Sequence, residues 1–333
     1  MKFINSRILP VLILAYTWLP VIGMEVTVKG RDILLDGERY VIRGVCYHPV
    51  PKGSNKRSFC SLTKDLALMK ELGANTIRVY EPITERAVLD EIHSAGIKVI
   101  ISIGYNQDGK FDILSGTFID YVDAYKDHEA ILLWELGNEY NFHPPWFRGD
   151  LQNWYDALNE AAALVSKHDP SRVVATAHGE LPDKQALESC PNIDVWGMNV
   201  YRWDNPEGIF PDWEKLSGKP MYLSETGADS YMAVARDGYE EGSNEKAQAD
   251  ALRNIFGDIN RFPEICSGVA VFAFVDEWWK AGGYDTQDLG GKPPPAGFPY
   301  DLVANEEYWG ILNLDRTKKE AFEVVKQGFC EMK

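Results

Sequence analysis

The chain is predicted to be an α/β protein, a (β/α)8 TIM barrel with a short N-terminal β-hairpin, and three observations predict it. Eight short runs rich in β-branched residues recur along the 333 residues. Stretches with 3.6-residue apolar spacing lie between them, and no internal repeat, linker or low-complexity tract divides the sequence. Eight β/α units over about 280 residues suit a closed barrel, with a doubly wound sheet as the runner-up.

The elements follow in chain order. Lys2 and Arg7 precede an apolar stretch from Ile8 to Ile22, interrupted by Pro10 and Pro20 and ending in Val21-Ile22-Gly23. Residues 1–23 therefore read as a secretory signal peptide, with 24–333 as one barrel domain. The apolar stretch is shorter than the ~20 residues of a membrane span, so a secreted protein, extracellular or periplasmic, is expected, with an uncleaved anchor as the alternative. No stable membrane insertion is expected. Next, Glu25 to Gly30 and Ile33 to Tyr40 alternate apolar and polar residues around Gly30 and Asp36-Gly37, the pattern of a hairpin able to plug a barrel.

The eight runs are Val41 to Tyr47, Asn75 to Tyr80, Ile97 to Ile103, Ile131 to Asn138, Arg172 to His178, Ile193 to Tyr201, Pro220 to Glu225 and Gly268 to Val275. Helical spacing is clearest over Leu62 to Leu72, Ala87 to Ala95, Phe118 to Tyr125, Trp154 to Ser166 and Glu245 to Asn260. The Gly/Pro-rich stretch from Gly282 to Pro299 is expected to be a long loop over the face that carries the chemistry.

Composition narrows the function. A formal charge of −16, with 50 acidic against 34 basic residues, repels phosphate backbones and argues against a nucleic-acid partner. Ten tryptophans in an aromatic content of 12% suit sugar rings, which stack on flat apolar faces. Cys46, Cys60, Cys190, Cys266 and Cys330 have neither CxxC nor metal-ligand spacing, and one or two disulfides are expected of a secreted chain. The HExxH pattern, the Gly-x-Ser-x-Gly elbow and phosphate-binding glycine loops are absent from the sequence, so no metal and no cofactor is expected.

Two segments carry the chemistry. Leu133-Trp134-Glu135-Leu136-Gly137-Asn138-Glu139-Tyr140 and Lys219-Pro220-Met221-Tyr222-Leu223-Ser224-Glu225-Thr226-Gly227 each run an apolar strand into a carboxylate. Catalytic groups of such barrels project from the C-terminal strand ends, so Glu139 and Glu225 are expected on one rim. Simple alternation would place Glu225 on the side of Met221 and Leu223, and Glu139 on that of Glu135 and Gly137. Paired acids of this kind are what glycosidic-bond cleavage uses.

Other strand ends add substrate-binding candidates. Arg78 is placed to hold Glu225 ionised, or equally to neutralise Glu135. Tyr201 is placed to donate to Glu225, and Asn138 to bind a sugar hydroxyl. His178 and His48 are candidates for binding a hydroxyl, His48 equally for capping a loop before Pro49. Trp278 is expected to form a stacking floor and Trp279 to pack, while Trp146, Trp203, Trp213 and Trp309 belong either to acceptor subsites or to the core. His93, His128, His143 and His168 have no assigned role.

These residues resemble the retaining glycosidases of clan A. Gly137-Asn138-Glu139 looks like that clan's Asn-Glu acid/base motif after the fourth strand, and Ser224-Glu225-Thr226-Gly227 is similar to the nucleophile motif of the β-glucuronidase and β-galactosidase family, glycoside hydrolase family 2. Asp194 to Tyr201 resembles the sixth-strand signature of that family and of the fungal β-1,3-glucanosyltransferases. The approach to Arg43-Gly44-Val45-Cys46-Tyr47-His48 is similar to the same barrel's entrance. The resemblance spans roughly residues 25–325 and implies Glu139 as acid/base and Glu225 as nucleophile. Thr226 stands where the family usually has Tyr, and no counterpart is seen of the β-sandwich domains that precede the family's barrel.

The expected activity is hydrolysis of a β-linked polysaccharide or oligosaccharide, β-glucan first, in an open cleft. Double displacement needs carboxyl groups ~5 to 5.5 Å apart. The alternatives are a β-glucanosyltransferase using the same residues and a catalytically dead carbohydrate-binding barrel. A lyase or metal-dependent hydrolase would need a lysine or ligand set at the strand ends that the sequence does not supply.

Overall fold

A computed structural model describes residues 23–104, 110–290, 301 and 303–333. Residues 1–22 of the expected leader and 291–299 of the Gly282 to Pro299 stretch lie outside the described residues. Eight parallel strands close into a barrel in the order β10-β13-β4-β5-β6-β7-β8-β9. These are β4 (Ile42–Cys46), β5 (Thr76–Val79), β6 (Lys98–Ile103), β7 (Ile131–Asn138), β8 (Val174–Gly179), β9 (Val195–Asn199), β10 (Met221–Thr226) and β13 (Cys266–Val271). Each falls on one of the eight expected runs.

The N-terminal hairpin carries a third strand. Strands β1 (Val26–Lys29), β2 (Asp32–Leu35) and β3 (Glu38–Arg39) form an antiparallel sheet. Val26 and Ile33 bury themselves against Ile42, Ile100, Leu132, Val195 and Tyr222, closing one end of the barrel. The amide of Val26 donates to Ser171 O at 2.8 Å and ties the plug to the chain leading into β8. A further two-stranded piece, β11 (Tyr231–Met232) with β12 (Gly242–Ser243), follows β10.

The helices form the outer layer: α1 (Leu62–Leu72), α2 (Arg86–Ser94), α3 (Ile119–Tyr125), α4 (Leu151–His168), α5 (Lys184–Ser189), α6 (Ile209–Leu216), α7 (Glu245–Arg261) and α8 (Glu320–Glu331). In α4, buried Trp154, Leu158, Ala161, Ala162 and Val165 recur on one face. Asp150 caps its N-terminus by accepting from Gln152 N, and Lys167 and His168 complement the dipole at the other end. Asn244 caps α7 through Ala247 N in the same way. The largest apolar cluster fills the space between barrel and helices. No helix among the described residues is long and apolar enough to cross a membrane.

The cysteines depart from expectation. All five are free thiols, Cys46, Cys190 and Cys266 buried and Cys60 and Cys330 exposed. A domain of this length buries enough apolar surface to need no cross-link.

Helix α8 packs against α7 through a small residue. A Cβ placed on Gly328 would lie 2.3 Å from Cγ of Phe256. Gly328→Ala is therefore expected to cost about 1–3 kcal/mol through overpacking, read as a Tm lowered by several degrees with far-UV dichroism unchanged.

Candidate active site

The site is built on a cation inside the barrel. Arg78, on β5, has no solvent exposure, and neither does Glu135 on β7. Nε of Arg78 donates to both Glu135 oxygens at 2.8 and 3.0 Å, Nη1 to Glu225 Oε1 at 2.7 Å and Nη2 to Asn138 Oδ1 at 2.7 Å. Both readings of Arg78 hold at once: it neutralises Glu135 and grips Glu225. Ser102 Oγ and the Tyr222 hydroxyl also donate to Glu135, so that buried carboxylate is fully engaged and structural.

Glu225 sits above this pair at 6% exposure. Besides Arg78, it accepts from the Tyr80 hydroxyl at Oε1, 2.8 Å, and from the Tyr201 hydroxyl at Oε2, 2.7 Å. Burial first, reinforced by negative neighbours that include Glu225, pushes both tyrosines well above their ordinary pKa, so they remain donors. Three donors, one of them a cation, converge on this carboxylate and fix both of its oxygens.

Glu139 has the opposite environment. Burial first, then the negative charge of Glu225, raises its carboxyl to about 7, with Asn199 and Arg78 opposing. Glu139 is therefore a carboxyl able to hold its proton near neutrality. Behind them runs an amide relay: Ser224 Oγ donates to Asn199 Oδ1 at 2.6 Å, and Asn199 Nδ2 to Asn138 Oδ1 at 3.0 Å. Asn138 thus spends its carbonyl on Arg78 and Asn199, which leaves its NH2 as the group able to donate to a sugar hydroxyl.

Neither acid follows simple alternation. Met221 and Leu223 belong to the helix-facing cluster, whereas Tyr222 points inward to Glu135. Strict alternation would turn Glu225 outward, but a register irregularity between Leu223 and Glu225 brings it in. At the end of β7, Gly137 at φ 77° and Glu139 at φ 57° both take left-handed conformations. A Cβ on Gly137 would lie 2.6 Å from the Trp154 ring, so the turn that presents Glu139 needs glycine there.

Arg78, Asn138, Glu139, Tyr201 and Glu225 are brought together; other candidates are not. His178 faces away from the pair: its Nδ1 lies 3.1 Å from Glu180 O, its ring is 6.1 Å from Trp196, and burial lowers its pKa. It sits two residues beyond Thr176 and four beyond Val174 on the helix-facing side of β8, so ending a strand did not place it on the rim interior. His48 stands at the rim, 6.4 Å from the Tyr80 ring and 5.1 Å from Trp279, and burial, with help from Arg57 and Lys280, depresses its pKa to about 4. Trp279 rather than Trp278 therefore adjoins the site, while Trp278 lies under Lys52 Nζ at 4.9 Å. Trp213 is core, Trp309 packs buried against Tyr201 at 5.0 Å, and Trp146 is exposed and stacked on His143 at 3.9 Å.

Sequence reasoning assigned no role to Tyr80, Asn199 or Ser224. Tyr80 lies two positions beyond Arg78 and Asn199 two before Tyr201, so spacing of two along the strands would have found both. Glu277 and Lys280, which follow β13, and Glu306, which opens a 3-10 helix further on, act electrostatically on the pair and carried no such signal.

A closed eight-stranded barrel with paired carboxylates on its C-terminal rim defines the architecture of clan A glycosidase domains. The chain belongs to the glycosyl hydrolases family 2, TIM barrel domain, whose family profile matches residues 26–333. A beta-glucuronidase of Paenibacillus borealis is 24% identical over 291 residues, covering 77% of this chain and 46% of that protein. A 1,3-beta-glucanosyltransferase of Schizosaccharomyces pombe is 27% identical over 240 residues, 58% of this chain and 44% of its own length. The crystal structure of a family 2 beta-galacturonidase from Eisenbergiella tayi bound to galacturonate superposes with a TM-score of 0.66 at 23% identity, covering 93% of this chain and 54% of that one. The chain thus spans about half the length of these relatives or less.

Removing the central cation exposes its role. Arg78→Met leaves Glu135 and Glu225 buried without their counter-ion and is expected to cost about 3–5 kcal/mol in urea denaturation at pH 7. A loss under 1 kcal/mol would mean the barrel interior is far better hydrated than its burial indicates.

Proposed function

We propose that this barrel is a retaining β-glycoside hydrolase in which Glu225 is the nucleophile and Glu139 the acid/base. The observation that carries the reading is the contrast between the two carboxyl groups. Glu225 receives hydrogen bonds from Arg78, Tyr80 and Tyr201, whereas Glu139 is raised to about 7.

In the first step Glu225 attacks the anomeric carbon while Glu139 protonates the departing glycosidic oxygen, giving a glycosyl-enzyme. In the second, Glu139 takes a proton from water, which attacks the same carbon and releases Glu225. Tyr201 and Tyr80 hold the Glu225 oxygens in place, and Asn138 donates to a hydroxyl beside the reacting carbon. A β-linked glycan in an open cleft is the proposed substrate, with β-glucan the first to assay. Family membership supports a glycosidase, and the proposed secretion from the 1–23 leader suits a polymer substrate.

A second reading has a sugar hydroxyl replace water in the second step, giving chain-lengthened products. The likeness to a 1,3-beta-glucanosyltransferase favours it. The beta-glucuronidase relatives offer a uronide as the competing substrate class.

Three outcomes test the assignment. The acid must be protonated to act, and its protonated fraction falls as pH rises through about 7, so kcat/KM is expected to decline tenfold per pH unit above that point. Glu139→Gln should remove that limb along with activity on poor leaving groups. In Glu225→Ala, turnover should be lost and restored by azide as a glycosyl azide of inverted configuration. Near wild-type activity without rescue would remove Glu225 from the reaction.

A further inference from the structure

A second charged group borders the carboxylate pair. Lys280 Nζ lies 2.9 Å from Glu277 Oε2 and 3.2 Å from Glu306 Oε2, and 4.3 Å from the centre of the Phe272 ring. Phe272 in turn stands edge-on to Tyr80 at 6.5 Å and Tyr201 at 6.0 Å, the two tyrosines that donate to Glu225. Lys280 is therefore one aromatic ring away from the nucleophile's hydrogen-bond partners. Burial opposes its charge, but Glu277, Glu306 and Glu225 outweigh burial and keep it protonated.

We infer that the Glu277, Lys280 and Glu306 group makes the subsite over Glu139 and Glu225 selective for a neutral hexopyranose and excludes a uronic acid. The inference rests on the glycosidase reading and names the substrate class of the same site. Its basis is how the cations are spent. Arg78 is committed to Glu135, Glu225 and Asn138, and Lys280 to Glu277 and Glu306. Those two cations face the carboxylates of Glu135, Glu225, Glu277 and Glu306, while Glu139 holds its proton near neutrality. A uronate would add a fifth carboxylate beside two cations, and like charges repel more strongly in a partly buried cleft than in water.

Among the described residues, neighbouring basic groups do not relieve this. Arg202 pairs with Glu180 at 2.5 Å, and Arg57 donates to the carbonyl oxygens of Glu81 and Pro82 at 2.6 and 2.7 Å. His48 is neutral, and Lys52 stands over the Trp278 ring.

The same mouth suits hydroxyl groups. Glu277 is 5% exposed, and Lys280 Nζ at 2.9 Å from Oε2 occupies one of the several acceptor positions of its carboxylate. Nε1 of Trp279 and Nδ1 of His48 are buried and have no hydrogen-bond partner among the described residues. Buried polar atoms without partners are rare. A sugar hydroxyl both donates and accepts, so one class of group satisfies the carboxylate oxygen and the indole N–H together.

The experiment is isothermal titration of the intact chain with isofagomine and with its uronic counterpart, which share the ring nitrogen and differ at C6. The neutral compound is expected to bind at least ten times more tightly. Glu306→Gln, at a side chain 39% exposed and so tolerant of change, should narrow that ratio several-fold, and Glu277→Gln should narrow it further. A purely structural role for the group would weaken both ligands alike and leave the ratio fixed, overturning the assignment. Equal or tighter binding of the uronic form by the wild type would overturn the selectivity while leaving the glycosidase reading intact. Failure of both ligands to bind would sink the pyranose site itself, and with it the inference.

Discussion

The Arg78 guanidinium is the constraint from which the rest of the site follows. It is a fully buried cation that reaches down to Glu135, across to Asn138 and up to Glu225. A charge in that position is tolerable only with its counter-ions in place, so folding the barrel core and setting the rim geometry are one process. Tyr222 and Ser102 complete Glu135 from below, and Tyr80 and Tyr201 complete Glu225 from above. The outcome is a rim carboxylate whose position is settled before any sugar arrives, the condition for electrostatic stabilisation without reorganisation.

Much of this was legible in the residues. The eight β-branched runs map onto the eight barrel strands because parallel strands buried on both faces must be almost continuously apolar. Glu139 and Glu225 stood out because each interrupts such a run at its end. Arg78, Asn138 and Tyr201 were found by the same logic, since polar groups at strand ends share a rim.

What failed was fine orientation. Alternation assigned Glu225 to the side of Met221 and Leu223, yet a one-residue irregularity in β10 reverses it. His178 ends its strand as Tyr201 follows its own, but it faces the helical layer beside Trp196. The choice between Trp278 and Trp279 depended on loop geometry that neighbouring positions cannot encode. Lys280 and Glu306 meet only because segments on either side of the Gly282 to Pro299 stretch converge, which spacing along strands cannot encode. Strand arithmetic locates a rim, while bulges and loops decide which groups occupy it.

The unpaired cysteines carry a consequence for where such a fold can persist. Burial lifts the thiol of Cys46 to about 12, that of Cys190 to about 12 and that of Cys266 to about 11, far from the thiolate form that oxidants attack. Cys46 even uses its hydrogen, donating toward Ser224 O at 3.4 Å, on the residue before Glu225. The described fold accordingly owes none of its cohesion to redox poise: neither glutathione nor molecular oxygen has a bond to break or a reactive sulfur to reach at its centre.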